Sequence, residues 1–135
     1  MSRKLSLALV TSRFHAMRAF YTAVFRDVPV GDDDYTEFQV GDDWLLALCS
    51  SNAVEWAAPG AHRPGMNRCA RIELAVDDVD AEFERLSPIA SECVTPPTDW
   101  PWGTRATWLR DPDGNLVSLF APIAVNTPEL PAART

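Results

Sequence analysis

Bulky and small residues alternate near the start of the chain. Leu5, Leu7 and Leu9 interleave with Ser6, Ala8 and Val10, a period of two that predicts a buried strand with one large and one small face. Ser12 follows as a candidate helix N-cap. Beyond it Phe14, Met17, Tyr21 and Val24, with Phe20 alongside, recur every three or four positions, which predicts a helix laying one face on a core. Pro29 and Gly31 introduce an acidic loop. Tyr35 to Val40 and Trp44 to Cys49, separated by Gly41-Asp42-Asp43, then read as two strands joined by a tight turn.

Between Ser50 and Asn67 the period is lost, and Pro59, Gly60, Pro64 and Gly65 mark a long linker. The pattern then restarts. Ile72, Leu74 and Val76 share one face of a strand, Asp77 or Asp78 caps a helix marked by Val79, Phe83 and Leu86, and Pro88 ends that helix early. Cys93 to Thr95 predicts a brief strand, Pro96 to Gly103 a Trp-rich and Pro-rich connection, and Thr104 to Arg110 and Leu116 to Ala121 a closing hairpin around Asp111-Pro-Asp-Gly114. Sliding the chain so that Ser6 falls on Arg71 also places Leu9 on Leu74, Ser12 on Asp77 and Phe14 on Val79, so the two halves read as a duplication.

With 135 residues and 47% hydrophobic content, the chain has material for one core and one domain, 1–135. Module one is expected at about 4–50, a linker at 51–67, module two at about 68–122, and a frayed tail at 123–135 containing Pro128 and Pro131. The start, Met1-Ser-Arg-Lys before a short apolar run broken by Ser6, fits a strand better than a signal peptide. No stretch approaches the ~20 apolar residues that span a bilayer.

A net charge of −7 and a single lysine, Lys4, argue against a nucleic-acid partner, because neutralising phosphates takes clustered cations. The acidic balance suits a cationic ligand or serves solubility alone; the run Asp32 to Asp34 carries the same two readings, with a solvated loop preferred. Cys49, Cys69 and Cys93 form no CxxC pair and read as free buried thiols of a reducing, cytoplasmic compartment.

Arg18-Ala-Phe-Tyr21 in the first helix, Ala75-Val-Asp-Asp-Val-Asp80 opening the second and Arg110-Asp-Pro-Asp-Gly-Asn-Leu116 in the last hairpin resemble the vicinal-oxygen-chelate superfamily of glyoxalases, bleomycin-resistance proteins and extradiol dioxygenases, over residues 4–122. The resemblance implies an α+β fold of two tandem βαβββ modules whose curved eight-stranded mixed sheet forms a cup. It also implies a homodimer and a metal held by His, Gln or Glu near the start of each module's first strand and by Glu in its last. Here those slots hold Ser6 and Ala47, then Arg71 and Ser118. None suits a divalent ion: alanine has no donor, lone hydroxyls bind weakly and a guanidinium repels the cation. His15 in the first helix and His62 in the linker lie off the cup strands. No metal and no cofactor are therefore expected, and glyoxalase and dioxygenase chemistry lose their Lewis acid.

The aromatic residues point to binding. Trp100 and Trp102 flank Pro101, Trp108 lies in the following strand, Phe120 near the end of the last, and Trp56 on the linker. Indole faces suit flat or cationic ligands. Trp-Gly-Thr-Arg followed by Asp-Pro-Asp-Gly-Asn resembles the matching stretch of bleomycin-resistance proteins, which trap a planar, cationic antibiotic between two subunits. Tryptophans are also ordinary core or interface residues, and Trp44 and Trp108 carry that second reading. Glu73, two residues after Arg71, shares its side of the strand and is the one candidate general base, against the alternative of a buried ion pair.

The expected function is metal-free binding of a small molecule, an antibiotic or planar aromatic metabolite, by Trp102, Trp108, Arg71, Glu73, Ser118 and Phe120, with Trp100 and Trp56. The alternatives are a lyase, isomerase or dioxygenase-like enzyme of the same superfamily with an atypical or absent metal site, and an interaction module whose cup is filled by its own side chains. Neither nucleic acid nor membrane is an expected partner.

Overall fold

The repeated pattern becomes a repeated topology. In the computed structural model of the protein, which describes residues 3–124, the first half consists of β1 (Leu5–Thr11), α1 (Phe14–Phe25), β2 (Val30–Gly31), β3 (Tyr35–Val40) and β4 (Trp44–Ser50), followed by α2 (Ser51–Ala57). The second half consists of β5 (Arg71–Ala75), α3 (Val79–Leu86), a 3-10 turn at Ser87–Ile89, β6 (Glu92–Asp99), β7 (Thr104–Arg110) and β8 (Leu116–Pro122). Eight strands form two four-stranded mixed sheets, ordered β1-β4-β3-β2 and β5-β8-β7-β6. In each, the first strand runs parallel to the last and the rest pair antiparallel. The expected α+β fold with the βαβββ order twice is therefore present. The expected tail beyond residue 124 lies outside the described residues.

The chain divides into two compact units. One comprises residues up to 68 together with 112–114, the other 69–111 together with the residues from 115.

In the first unit, Phe14, Met17, Phe20, Tyr21 and Val24 are buried on one side of α1, as the spacing predicts, and α1 packs on β4. Phe38, Leu46 and Leu48 supply the sheet side of that core. Ser12 does not cap the helix. The N-cap is Arg13, whose backbone N–H donates to Thr11 Oγ1 at 2.8 Å, so the hydroxyl that organises the entry belongs to the last residue of β1. The buried strand expected at the start is also corrected. Leu5 is 55% and Leu7 45% exposed, because β1 is the edge of its sheet and α1 covers β4 instead.

The linker contains a helix that its sequence did not announce. α2 has seven residues, none of them buried, so no apolar period marks it. The acidic stretch is solvent-exposed, as a solvated loop would be, and its turn is held by hydrogen bonds. Asp32 Oδ1 accepts from the backbone N–H groups of Asp34 and Tyr35, and Arg18 of α1 reaches Asp33 at 3.2 Å. These bonds to the backbone hold the Asp32 carboxyl below the usual carboxylate range. Residues 112–114 join this unit through two guanidinium groups: Arg13 donates to Pro112 O at 3.3 Å and Arg68 to Gly114 O at 2.9 Å.

In the second unit Asp78 caps α3, its side chain accepting from Ala81 N–H at 3.1 Å. Val79 and Leu86 are buried against β6, β7 and β8, where Leu109, Val117 and Leu119 are almost fully enclosed. Pro88 falls in the 3-10 turn that ends α3. β6 is longer than the three residues expected. It runs on through Pro96 and Pro97 because it is an edge strand, where a missing N–H is tolerated, and its register shifts on either side of Thr95. Arg105 of β7 clamps this unit from outside, bonding Asp80 of α3 at 2.8 Å and Asp99 of β6 at 2.9 Å. The bond to Arg105 holds the Asp80 carboxyl below its usual range.

None of the three cysteines forms a disulfide, but only Cys49 is buried; Cys69 and Cys93 are exposed. Burial pushes the Cys49 thiol up. Among the described residues, no helix is long and apolar enough to cross a membrane.

Candidate ligand-binding site

Strand parity selects the residues that meet on the face of the second sheet turned away from α3. Register pairs Glu73 with Ser118 and Ser118 with Trp108, and pairs Ala75 with Phe120 and Phe120 with Ala106. Directly paired residues project to the same side of a sheet, so these side chains form two adjacent rows. Arg71 and Thr104 extend them. The intervening residues, Leu109, Val117 and Leu119, are the ones buried under α3.

The turn from β6 to β7 completes the site. Trp100 N–H donates to Thr104 O at 2.8 Å and Gly103 N–H to Trp100 O at 3.1 Å, closing a tip of Trp100-Pro101-Trp102-Gly103. Gly103, at φ +102°, occupies the region that glycine adopts without strain. The register break in β6 fixes Trp108: Thr95 Oγ1 accepts from Trp108 N–H at 3.2 Å, while Thr107 Oγ1 donates to Thr95 O at 2.8 Å. Two side-chain hydroxyls thereby bond across the break in the ladder, that of Thr95 as acceptor and that of Thr107 as donor.

The indoles stack on one another. Trp100 and Trp102 are parallel within 3° at 5.1 Å between centroids, and Trp100 and Trp108 lie at 19° and 5.6 Å. The Arg71 guanidinium sits 4.8 Å from the Trp108 ring centroid and 3.3 Å from Glu73. A cation, three aromatic plates and a carboxylate thus border a cavity of about 130 Å³, with Ser118, Phe120, Ala106 and Thr104 on its other walls. Pockets for drug-sized ligands run to roughly 300–1,000 Å³, so this one admits about a single ring as it stands. The Trp100 Nε1–H is buried without a hydrogen-bond partner.

Seven of the eight residues expected to contact a ligand therefore meet at one cavity: Arg71, Glu73, Trp100, Trp102, Trp108, Ser118 and Phe120. Trp56 does not line it; it lies on α2 in the other unit, 88% exposed. Arg71 and Glu73 do form the ion pair read from their spacing, but it is not buried, with side chains 41% and 54% exposed. β5 is an edge strand, which leaves both heads in water. Trp44 and Trp108 are not core residues either: Trp44 is half exposed next to edge strand β1, and Trp108 projects on the face opposite α3. Thr104 and Ala106 were missed, although both precede Trp108 at period two.

A further pair was missed in the first unit. Tyr35 and Glu37 share a face of β3, and the phenol donates to Glu37 Oε2 at 2.8 Å. That bond pushes the Tyr35 hydroxyl up to about 12.

The metal slots implied by the resemblance do not suit an ion. Ala47 has no donor, the Arg71 guanidinium is engaged with Glu73 and Trp108, and Ser6 and Ser118 offer neutral hydroxyls. Among the described residues, no three His, Cys, Asp or Glu side chains gather in a way that could hold one.

Comparison with known proteins agrees with this architecture. A structure described as a glyoxalase/bleomycin resistance protein/dioxygenase from Nocardioides superposes with a TM-score of 0.71 at 24% identity, covering 97% of this chain and 91% of that one. A glyoxalase-related enzyme from Fulvimarina pelagi gives 0.76 at 18% identity over 90% of this chain and 88% of its own. A family enzyme from Burkholderia phytofirmans PsJN gives 0.76 at 16%, over 90% and 100%. At these identities the likeness is one of fold. No curated protein matches the sequence. The family model for the Glyoxalase/Bleomycin resistance protein/Dioxygenase superfamily matches residues 5–119, and the chain belongs to that superfamily.

Proposed function

We propose that the chain is a metal-independent small-molecule binding protein, taking a planar aromatic ligand, an antibiotic or metabolite, at the indole stack of its second unit. The observation that carries this reading is the conjunction at one cavity of three stacked tryptophans with an accessible guanidinium–carboxylate pair. Ring faces attract flat and cationic molecules, and the paired charges offer a donor and an acceptor to a polar edge. The absence of a plausible donor set in the metal slots supports binding without an ion. A net charge of −7 favours approach of a cation. Three cysteines outside any disulfide suit a reducing cytoplasm. Apolar Leu5, Leu7 and Trp44, exposed side by side on β1 and β4, suit a homodimer.

Intrinsic fluorescence tests the proposal. Titration with planar cationic antibiotics and with simple aromatic cations is expected to quench or shift the tryptophan emission saturably. Unchanged emission at high micromolar concentration across the panel counts against it. Glu73 supports a second reading, since its half-exposed carboxylate, paired with Arg71, borders the cavity where a lyase or isomerase base would meet a ligand. Turnover of a bound ligand that Glu73→Gln abolishes without loss of affinity would favour that reading.

A further inference from the structure

The first unit holds a larger cavity, of about 630 Å³, on the helix side of its sheet. His15, Arg18, Ala19 and Ala23 fall on one stripe of α1, separate from the stripe that enters the core, and they face Val28 and Pro29 across the space. The volume lies within the roughly 300–1,000 Å³ of small-molecule sites. Ala19 and Ala23 keep the space open, since a longer side chain at either position would enter it. Thr36 of β3 forms part of the wall, on the same side of its strand as core residue Phe38. It is 1% exposed, and its hydroxyl has no hydrogen-bond partner among the described residues. Such an unmade bond costs free energy in the ligand-free chain.

The polar lining is weighted toward donors, and no carboxylate belongs to it. Arg18 Nη2 lies 3.1 Å from His15 Nδ1. A guanidinium only donates, so Nδ1 accepts and the imidazole hydrogen is on Nε2, a further donor. Arg18 also bonds Asp33 and the carbonyl of Asp32, which leaves its Nε–H and one Nη1–H without an acceptor among the described residues. Asp32 Oδ1 is itself committed to the backbone N–H groups of Asp34 and Tyr35. We propose that this cavity is a second binding site, for a monocarboxylate with an apolar body. The carboxylate bonds Arg18 and His15, the body lies on Ala19, Ala23, Val28 and Pro29, and Thr36 donates the hydroxyl that is otherwise unused. The site is independent of the tryptophan cavity, all of whose walls belong to the second unit.

Titration of the ¹⁵N-labelled full chain with octanoate, followed by amide and indole chemical shifts, gives both the location and the affinity. Acetate keeps the charge without the body, and 1-octanol keeps the body without the charge. Octanoate is expected to shift amides of α1 and residues 28–36 saturably, with both controls binding at least about tenfold more weakly. Ala23→Leu fills the cavity and should abolish binding. Thr36→Val should weaken octanoate about fivefold while the melting temperature holds or rises, because the lost hydroxyl bonds nothing in the free chain. Arg18→Gln should cost about tenfold. Circular dichroism confirms that each variant is folded; Arg18 also braces the acidic turn, and the other two variants leave that brace alone. Saturable shifts absent at about 10 mM octanoate overturn the proposal. So do shifts centred on the indole signals, 1-octanol binding as tightly as octanoate, or unchanged octanoate affinity in Ala23→Leu or Thr36→Val.

Discussion

Replacing Asp111 with alanine withdraws a carboxylate that the last hairpin is built around. Its side chain is completely enclosed, with Oδ1 accepting the Asn115 backbone N–H and Oδ2 the Asn115 Nδ2–H, both at 2.9 Å. The backbone adds Asp111 N–H to Asn115 O at 3.0 Å, and Ser91 Oγ donates to Asp111 O at 2.6 Å. In Asp111→Ala the two Asn115 donors lose these acceptors while Asn115 itself is only 7% exposed. A buried donor left unmade costs about 1–3 kcal/mol. Two of them give about 2–6 kcal/mol, reduced to about 2–4 where the amide turns toward water. That is a large share of the ~5–15 kcal/mol available to a domain. Asp111→Asn retains an acceptor for one of the two donors and should lose about half as much. Urea unfolding followed by far-ultraviolet circular dichroism measures both. An unchanged midpoint and slope for Asp111→Ala would refute the assignment of this residue as the staple of the turn.

Two further outcomes follow from other bonds. The neutral phenol of Tyr35 is favoured by its bond to Glu37, so its contribution is complete below the ordinary value of 10.0 and is lost as pH rises through about 12; phenolate absorbance of Glu37→Gln should show this tyrosine returning toward 10, with Tyr35→Phe identifying its share of the signal. Gly31→Ala puts a Cβ 2.0 Å from Tyr35 O at φ +143°, so it should lower the melting temperature by the equivalent of about 1–3 kcal/mol or more, and an unaltered melt would show that the turn before Tyr35 relaxes freely.

Period and turn chemistry made most of the fold legible. Phe14, Met17, Tyr21 and Val24 announce a helix because a three-to-four spacing has no other use, and Asp111-Pro-Asp-Gly114 announces a turn because proline and glycine are placed where its backbone needs them. Period two brought Arg71 and Glu73 to one side of β5, and it held the same information for Thr104, Ala106 and Trp108. What stayed hidden depends on neighbours rather than on spacing. Whether Leu5 and Leu7 are covered is decided by where α1 lies, and whether Arg71 and Glu73 are buried by the edge position of β5. β6 outlasted its prolines because an edge strand does not need every N–H, which a single segment cannot reveal. Trp100 and Trp102 were recognisable as indole faces flanking Pro101, but their stacking on each other is set by the turn that carries them.

The acceptors supplied to Arg13 and Arg68 by Pro112 and Gly114 come from far along the chain. A ribosome that has released the first 68 residues has made both guanidinium groups but not yet their carbonyl partners. The amino-terminal half thus reaches its finished set of bonds only once residue 114 has emerged, which makes its completion a late, long-range event during synthesis.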